Sequence, residues 1–196
     1  MFRLSLRRAR LGCASCGGEK IRSLRRDQRG VAAIEFALFA SAISIGMLNV
    51  VDVAIFAYQK MEVDNATEMA AQAAWKTCPP FDPNGNPLLP ATLKCSGLSA
   101  AVTAAVQSTS LGTKVKLQSG SPAEGYYCVN SSAALVYVSS VSSKPSDCSS
   151  VGMASLQPAD YMQISTTFTY SPIFKGITIG GALPTSITST ALMRMG

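Results

Sequence analysis

An apolar run over residues 31–57 is the feature that most constrains this chain. The polar residues that interrupt it are Glu35, Ser41, Ser44, Asn49 and Asp52. A helix of about 20 apolar residues crosses the hydrocarbon core of a bilayer, so the run predicts one transmembrane helix. The core helix of a soluble protein and a cleaved secretory signal are the alternatives. A signal peptidase cut after Ala57 would place Ile55 where a small residue is needed.

The positive charge of the chain is concentrated before this run. The formal net charge is +6, and the chain contains no histidine. Residues 1–30 contain nine arginine and lysine residues against Glu19 and Asp27, seven net positive charges, so the remaining residues carry a net charge of −1. A basic flank is typical of the cytoplasmic side of a membrane span. We therefore expect a cytoplasmic N-terminus, an exported C-terminal domain, and no nucleic-acid partner.

Polar residues inside a membrane-length run need an explanation, because a charge in lipid is costly unless it is paired. Asn49 and Asp52 lie near the outer end of the run. They are expected either to mark the membrane boundary or to form a polar contact between subunits. Glu35 lies near the inner end, where it either reaches the headgroup region or requires a partner for its charge.

The helical pattern continues beyond the apolar run. No glycine or proline occurs between Met47 and Cys78, so residues 31–77 predict one continuous helix, about 70 Å long at 1.5 Å per residue. Its second part, residues 58–77, is amphipathic. The residues that recur there at intervals of three or four are Tyr58, Met61, Asn65, Met69, Ala73 and Trp75 or Lys76. A helix of this length is unstable alone in water, so its alanine-rich stripe is expected to pack against the exported domain.

The segment 79–90 carries five of the ten prolines and predicts an irregular loop. Within it, Asp82, Asn84 and Asn86 imitate the first positions of a calcium-binding loop. Pro87 stands where that loop requires glycine, and the position of its bidentate glutamate is a leucine. A turn is therefore expected here, and no metal site.

Strand-like segments fill the rest of the chain, after a short helix predicted within residues 96–112. The segments, rich in threonine, valine and tyrosine, are TKVKLQS, GYYCVNS, AALVYVSS, YMQISTTFTYS and TSITSTALMRM. Buried and exposed positions alternate in such runs, which predicts an antiparallel sheet with one face on a core. The expected fold class is α+β, with a long N-terminal transmembrane and amphipathic helix packed on a small antiparallel sheet.

The six cysteines lie on both sides of the apolar run. Cys13 and Cys16 are in the leader, where two thiols without histidine are too few for a structural zinc site and are expected to be solvated. The other four lie beyond the run and indicate disulfides, with three possible connectivities. The favoured pairs, which close the shortest loops, are Cys78 with Cys95 and Cys128 with Cys148.

The start of the apolar run carries a distinctive arrangement of residues. A basic leader ends at Gly30, Glu35 is the fifth residue after that glycine, and Phe36 follows it. This arrangement resembles a type IV prepilin processing site. Residues 25–74, and more moderately residues 161–196, are similar to the TadE-like minor pilins, or pseudopilins, of tight-adherence (Tad/Flp, type IVb) pilus systems. Many of those proteins carry tyrosine at the position of Phe36.

The resemblance implies a processing step and a docking role. A prepilin peptidase would cut between Gly30 and Val31, since Gly30 has no side chain to obstruct the enzyme. The new α-amino group of Val31 would then pair with Glu35 of a neighbouring subunit, beside Phe36. The other implied partners are a major Flp-type pilin, other minor pilins and the inner-membrane pilus assembly platform. The implied location is the bacterial inner membrane, as a single-pass protein with a periplasmic C-terminal domain, or a surface pilus.

The expected function is that of a minor pilin that contributes to the assembly, or to the tip or initiation complex, of a Tad/Flp-type pilus in adhesion. The alternative is an uncleaved, single-pass, membrane-anchored periplasmic binding or adhesion protein. An enzyme is not expected, because without histidine the available general bases are scattered carboxylates. No cofactor and no metal are expected. The predicted organisation is a cleaved cytoplasmic leader at 1–30, a transmembrane helix at 31–57, its extramembrane continuation at 58–77, and a periplasmic or extracellular α+β domain at 78–196.

Overall fold

The computed structural model describes residues 29–176 and 178–196. The leader up to residue 28, with Cys13 and Cys16, lies outside the described residues. The expected solvation of these two cysteines and the expected removal of the leader therefore stay predictions.

One long helix, α1, extends over Arg29–Thr77. The prediction of a single continuous helix that ends at Thr77 is therefore confirmed, and the observed helix begins slightly earlier than residue 31. The chain divides into two compact units, Met1–Met47 and Leu48–Gly196, and α1 contributes residues to both.

Apolar side chains cover every side of α1 in the first unit. Residues 30–47 are all exposed except Ala40, which is half-buried. The exposed large apolar residues are Val31, Ile34, Phe36, Leu38, Phe39, Ile43, Ile45 and Met47. A helix that is apolar all round is typical of a protein core or a membrane span. The most apolar stretch of α1 has a mean hydropathy of 2.0, and its length and composition make α1 a candidate membrane span near the N-terminus.

The second unit contains a five-stranded antiparallel sheet, as the sequence pattern predicted. Its strands are β1 (Lys116–Leu117), β2 (Ala123–Val129), β3 (Leu135–Ser140), β4 (Ala159–Thr169) and β5 (Ser186–Arg194). The central strand is β4, which pairs along one edge with β5 and along the other edge with both β1 and β2. Strand β3 pairs with the free edge of β2. Two short helices, α2 (Ala91–Lys94) and α3 (Leu98–Val106), precede the sheet.

The core of the second unit lies between α1 and the inner face of the sheet. Every second residue of β4 is buried, and the residues between them are half-buried or exposed, as expected for a strand with one face on a core. The α1 residues that join this core are Val63, Ala66, Ala70, Ala71 and Ala74. Small side chains let the helix axis approach the sheet closely. The expected packing of the second part of α1 against the domain is therefore confirmed, and the fold is α+β.

A buried hydroxyl pair also joins α1 to the sheet. The hydroxyl of Thr67 donates to the carbonyl oxygen of Val63 at 2.7 Å, and it lies 2.6 Å from the hydroxyl of Thr166 on β4. A hydroxyl carries one proton, so Thr166 must be the donor to Thr67. Both polar groups are satisfied, which allows them to lie in the core without the penalty of an unpaired buried group.

The opposite face of α1 is exposed in the second unit. Tyr58, Met61, Met69 and Trp75 have between 45% and 58% of their surface exposed. These residues belong to the stripe that marked the helical period in the sequence. The prediction that this stripe packs against the domain is therefore wrong, because the smaller residues between its members face the sheet.

Two disulfides join segments of the second unit, and they have the favoured connectivity. Cys78, just after α1, is bonded to Cys95, just after α2, with a Cα–Cα distance of 5.9 Å. Cys128 on β2 is bonded to Cys148, which precedes β4, with a Cα–Cα distance of 5.7 Å. The prediction from loop length is confirmed for both pairs.

The calcium-like spacing in the proline-rich loop forms a turn, as expected. One carboxylate oxygen of Asp82 accepts the backbone N–H groups of Asn84 and Asn86, each at 2.8 Å. The other oxygen accepts the side-chain amide of Asn86 at 2.9 Å. These hydrogen bonds to the charged form, led by that from the Asn86 side chain, hold the pKa of Asp82 below its usual value.

Candidate assembly site

The expected cleavage point lies in the first turn of α1. A Cβ atom built on Gly30 would meet no atom of the described residues within 4 Å, apart from its chain neighbours and the backbone of its own helix, and Val31 is 58% exposed. The described residues of α1 therefore leave the peptide bond between Gly30 and Val31 accessible to an enzyme.

Glu35 and Phe36, the expected docking residues, are exposed in the first unit. Phe36 is 75% exposed, and Ile34 and Phe39 nearby are 64% and 70% exposed. Among the described residues, no hydrogen bond or ion pair engages the Glu35 carboxylate. Residues four apart lie on the same side of a helix, so Glu35 shares its side of α1 with Val31. A carboxylate therefore stands in an apolar surface within reach of the position where cleavage would create an amine.

Asp52 has a different environment, and its role was not recognised in the sequence. It is completely buried in the second unit. One carboxylate oxygen accepts the N–H of Ile173 at 3.1 Å, and the other accepts the hydroxyl of Thr178. Its backbone carbonyl accepts the hydroxyl of Tyr170 at 3.4 Å. Asp52 therefore fastens the segment between β4 and β5 to α1.

Asn49 completes this attachment from one helical turn earlier. Its side-chain oxygen accepts the N–H of Ile179 at 2.7 Å. Gly180 is required next to it, since a Cβ atom there would lie 2.6 Å from a carboxylate oxygen of Asp52. These bonds are made within the chain and not with another subunit. That Asn49 and Asp52 mark the outer membrane boundary stays a prediction.

A signal for this attachment was present in the sequence. Asn49 and Asp52 are three residues apart, so they lie on the same side of a helix. The segment 171–185, rich in glycine, proline and threonine, supplies donors from backbone and hydroxyl groups. What the sequence did not indicate is that these distant groups meet, because the spacing of residues in a loop carries no periodicity.

Metal binding finds no support in the part of the chain that the structure describes. No group of three histidine, cysteine, aspartate or glutamate side chains there could hold a metal ion. The four cysteines beyond α1 are used in disulfides.

No protein-family model, curated protein or solved structure matches this chain, so its function is inferred from its own residues.

Proposed function

We propose that this chain is a minor pilin of the TadE-like kind, cut between Gly30 and Val31 and incorporated into a Tad/Flp-type pilus or its initiation complex. One observation carries the proposal. Apolar side chains are exposed on every side of α1 over residues 30–47, and a single carboxylate, Glu35, stands among them. Such a surface suits lipid before assembly and the helices of other pilins after it.

The chemistry of docking follows from cleavage. Cutting before Val31 creates an α-amino group whose ordinary pKa is about 8, so it is mostly cationic at neutral pH. In an apolar environment this cation and the Glu35 carboxylate of a neighbouring chain each lack a partner until they meet. Pairing removes two unpaired charges from lipid, which favours assembled subunits over free ones.

The second unit suits an exported, rigid domain. Two disulfides and the Asp52 attachment join its loops to α1 and the sheet. Disulfides persist in oxidising compartments outside the cytoplasm. This agrees with the orientation expected from the basic leader, in which the domain is periplasmic or exposed on a pilus and contributes to adhesion.

The test is the N-terminal sequence and intact mass of the protein from membranes and from sheared surface filaments. We expect a chain that begins at Val31. Gly30→Val should block the cut, because a branched side chain obstructs the enzyme. Gly46→Ala is the matched control, since Gly46 also lies on α1 with no atom near its missing Cβ. Recovery of the uncut chain from wild-type cells would reject the proposal in favour of an uncleaved anchored binding protein.

A further inference from the structure

The Glu124 carboxylate on β2 holds helix α2 against the sheet. Its Oε1 accepts the N–H of Ala91 at 2.7 Å, and its Oε2 accepts the N–H and the hydroxyl of Thr92 at 2.7 and 2.6 Å. Pro90, at the N-cap of α2, makes no side-chain capping bond. Glu124 takes that role from another element. A carboxylate has about four acceptor positions, so one remains for a further donor.

A second carboxyl group lies on the neighbouring strand, at a position diagonal to Glu124. Asp160 on β4 pairs with Tyr126 on β2, two residues along the strand from Glu124. It is 6% exposed, and its Oδ1 is buried without a hydrogen-bond partner in the described part of the chain. Burying an ionised carboxylate without partners costs far more than burying a neutral acid. The surroundings of Asp160 therefore favour its protonated form.

The charges around Asp160 act on its pKa in opposite directions, and the effect of Glu124 outweighs that of Lys144. Burial, followed by the negative charge of Glu124, raises the pKa of Asp160 to about 7, and Lys144 opposes the shift. The Nζ atom of Lys144 lies 5.7 Å from the ring centre of Tyr126. On the side of β5, Arg194 donates its Nε–H to the carbonyl oxygen of Gly196 at 3.3 Å.

The backbone of Asp160 also fixes the end of the chain to β4. Its N–H donates to the carbonyl oxygen of Gly196 at 3.3 Å, and its carbonyl oxygen accepts the N–H of Met195 at 2.8 Å. Four segments thus meet at this carboxyl pair: helix α2, strands β2 and β4, and the residues that follow β5.

We propose that Asp160 and Glu124 share one proton and form a pH-sensitive latch that holds helix α2 on the sheet. In the closed latch the Asp160 hydroxyl donates to the remaining acceptor position of Glu124. When the proton leaves to water, two carboxylates face each other and Oδ1 of Asp160 stays buried without a donor. Their repulsion weakens the bonds from Glu124 to Ala91 and Thr92. This latch is independent of the proposed pilin function.

The direction of the pH dependence follows from the raised pKa. The folded form holds the proton up to about pH 7, whereas an unperturbed aspartate loses it near 3.8. The stabilisation of the closed latch is complete below pH 3.8 and is lost as the pH rises through about 7. In that window the equilibrium constant for closing the latch falls by up to about tenfold per pH unit, because one proton is released on opening.

Hydrogen exchange of a peptide covering residues 88–97 tests the latch in the full chain in detergent micelles between pH 5 and 8. Protection factors, corrected for the intrinsic exchange rate, should fall about tenfold or more in the wild type across this range. Asp160→Asn should abolish the pH dependence. Glu124→Gln should move the transition to lower pH, because the charge that raises the pKa of Asp160 is removed. Glu62→Gln, which alters a carboxylate bonded to Ser110, should behave like the wild type.

Two results would overturn the latch. One is a wild-type protection factor that does not change between pH 5 and 8. The other is an unchanged transition in Glu124→Gln, which would show that the two carboxyl groups do not share a proton. The second result decides the matter even if Asp160→Asn fails to fold.

Discussion

The two parts of α1 belong to one continuous helix but are stabilised in different ways. Over residues 30–47 the helix exposes apolar side chains on all sides, whereas over residues 48–77 one face is buried against the sheet and the opposite face is exposed. The first part needs an environment supplied from outside the chain, a bilayer or other helices. The second part obtains its environment from its own sheet.

Acidic residues show the same difference most clearly. Asp52 is completely buried, and its carboxylate accepts bonds from Ile173 and Thr178. Glu35 is exposed, and within the described residues it has no such partner. One carboxylate is satisfied by folding. The other is expected to be satisfied only by assembly, so substitutions of the two should affect different measurements.

The largest effect is expected for Glu35→Ala, and it should appear in association. The α-amino group of a neighbouring chain loses its partner, and breaking one side of a poorly solvated ion pair costs about 3–5 kcal/mol. That is roughly a hundredfold or more in an association constant. The amount of variant that co-purifies with other pilins should fall, while its amount in the membrane stays normal, since removing a charge makes α1 more compatible with lipid.

Ser41→Ala is the control for Glu35→Ala, because it also removes a polar group from the same part of α1. The hydroxyl of Ser41 donates to the carbonyl oxygen of Leu38 at 2.8 Å and so has a partner within the helix. Normal co-purification of the Glu35→Ala variant at normal abundance would contradict the docking role. Glu35 would then be better explained as a residue that reaches the headgroup region.

A second comparison replaces isoleucine by alanine once in the sheet of the second unit and once within residues 30–47 of α1. Ile164→Ala removes a side chain that is completely buried in the core, and the loss should lower the free energy of unfolding by about 2–5 kcal/mol. Ile34→Ala removes one that is 64% exposed, and it should leave the unfolding of the domain unchanged. Chemical denaturation of both variants in detergent micelles measures the difference. Equal destabilisation would show that residues 30–47 are part of the same folding unit as the sheet.

A third, smaller effect is expected for Asp52→Ala. The N–H of Ile173 loses its acceptor, whereas the hydroxyl of Thr178 still has the carbonyl oxygen of Phe174 at 3.0 Å. One unsatisfied donor at this part-buried position costs about 1 kcal/mol. Glu68→Ala is the control, since Glu68 is an exposed acid of the same helix. Proteolysis within residues 171–185 should increase only in the Asp52 variant. Unchanged cleavage there would mean that the segment is held by other contacts.

Periodicity explains which parts of the fold could be predicted from the sequence. The long helix and the strand segments repeat at intervals of 3.6 or 2 residues, and such patterns can be read from one sequence. The disulfides followed from loop length. Each of these features depends on residues that are close in the sequence or regularly spaced.

Features that depend on distant residues could not be predicted in the same way. The bond between Asn49 and the N–H of Ile179 joins residues 130 positions apart. The capping of α2 by Glu124 joins residues 33 and 32 positions apart. No pattern in the sequence specifies such contacts, because they are created by the path of the whole chain. The role of Glu35 is also outside what one chain can show, since its expected partner belongs to another subunit.

The smallest effect on stability is expected at the exposed stripe of α1, and it separates packing within the chain from packing between chains. Met61 is 58% exposed, whereas Val63, two residues further along, is completely buried. Met61→Ala should change the free energy of unfolding by no more than about 0.5 kcal/mol. Val63→Ala should lower it by about 1.5 kcal/mol or more, since two buried methyl groups contribute about 0.8 kcal/mol each. If Met61→Ala nevertheless reduces co-purification with other pilins, the exposed stripe contacts a neighbouring subunit. If it lowers stability as much as Val63→Ala does, the stripe is packed within the chain, and the contrast between the two faces of α1 is wrong.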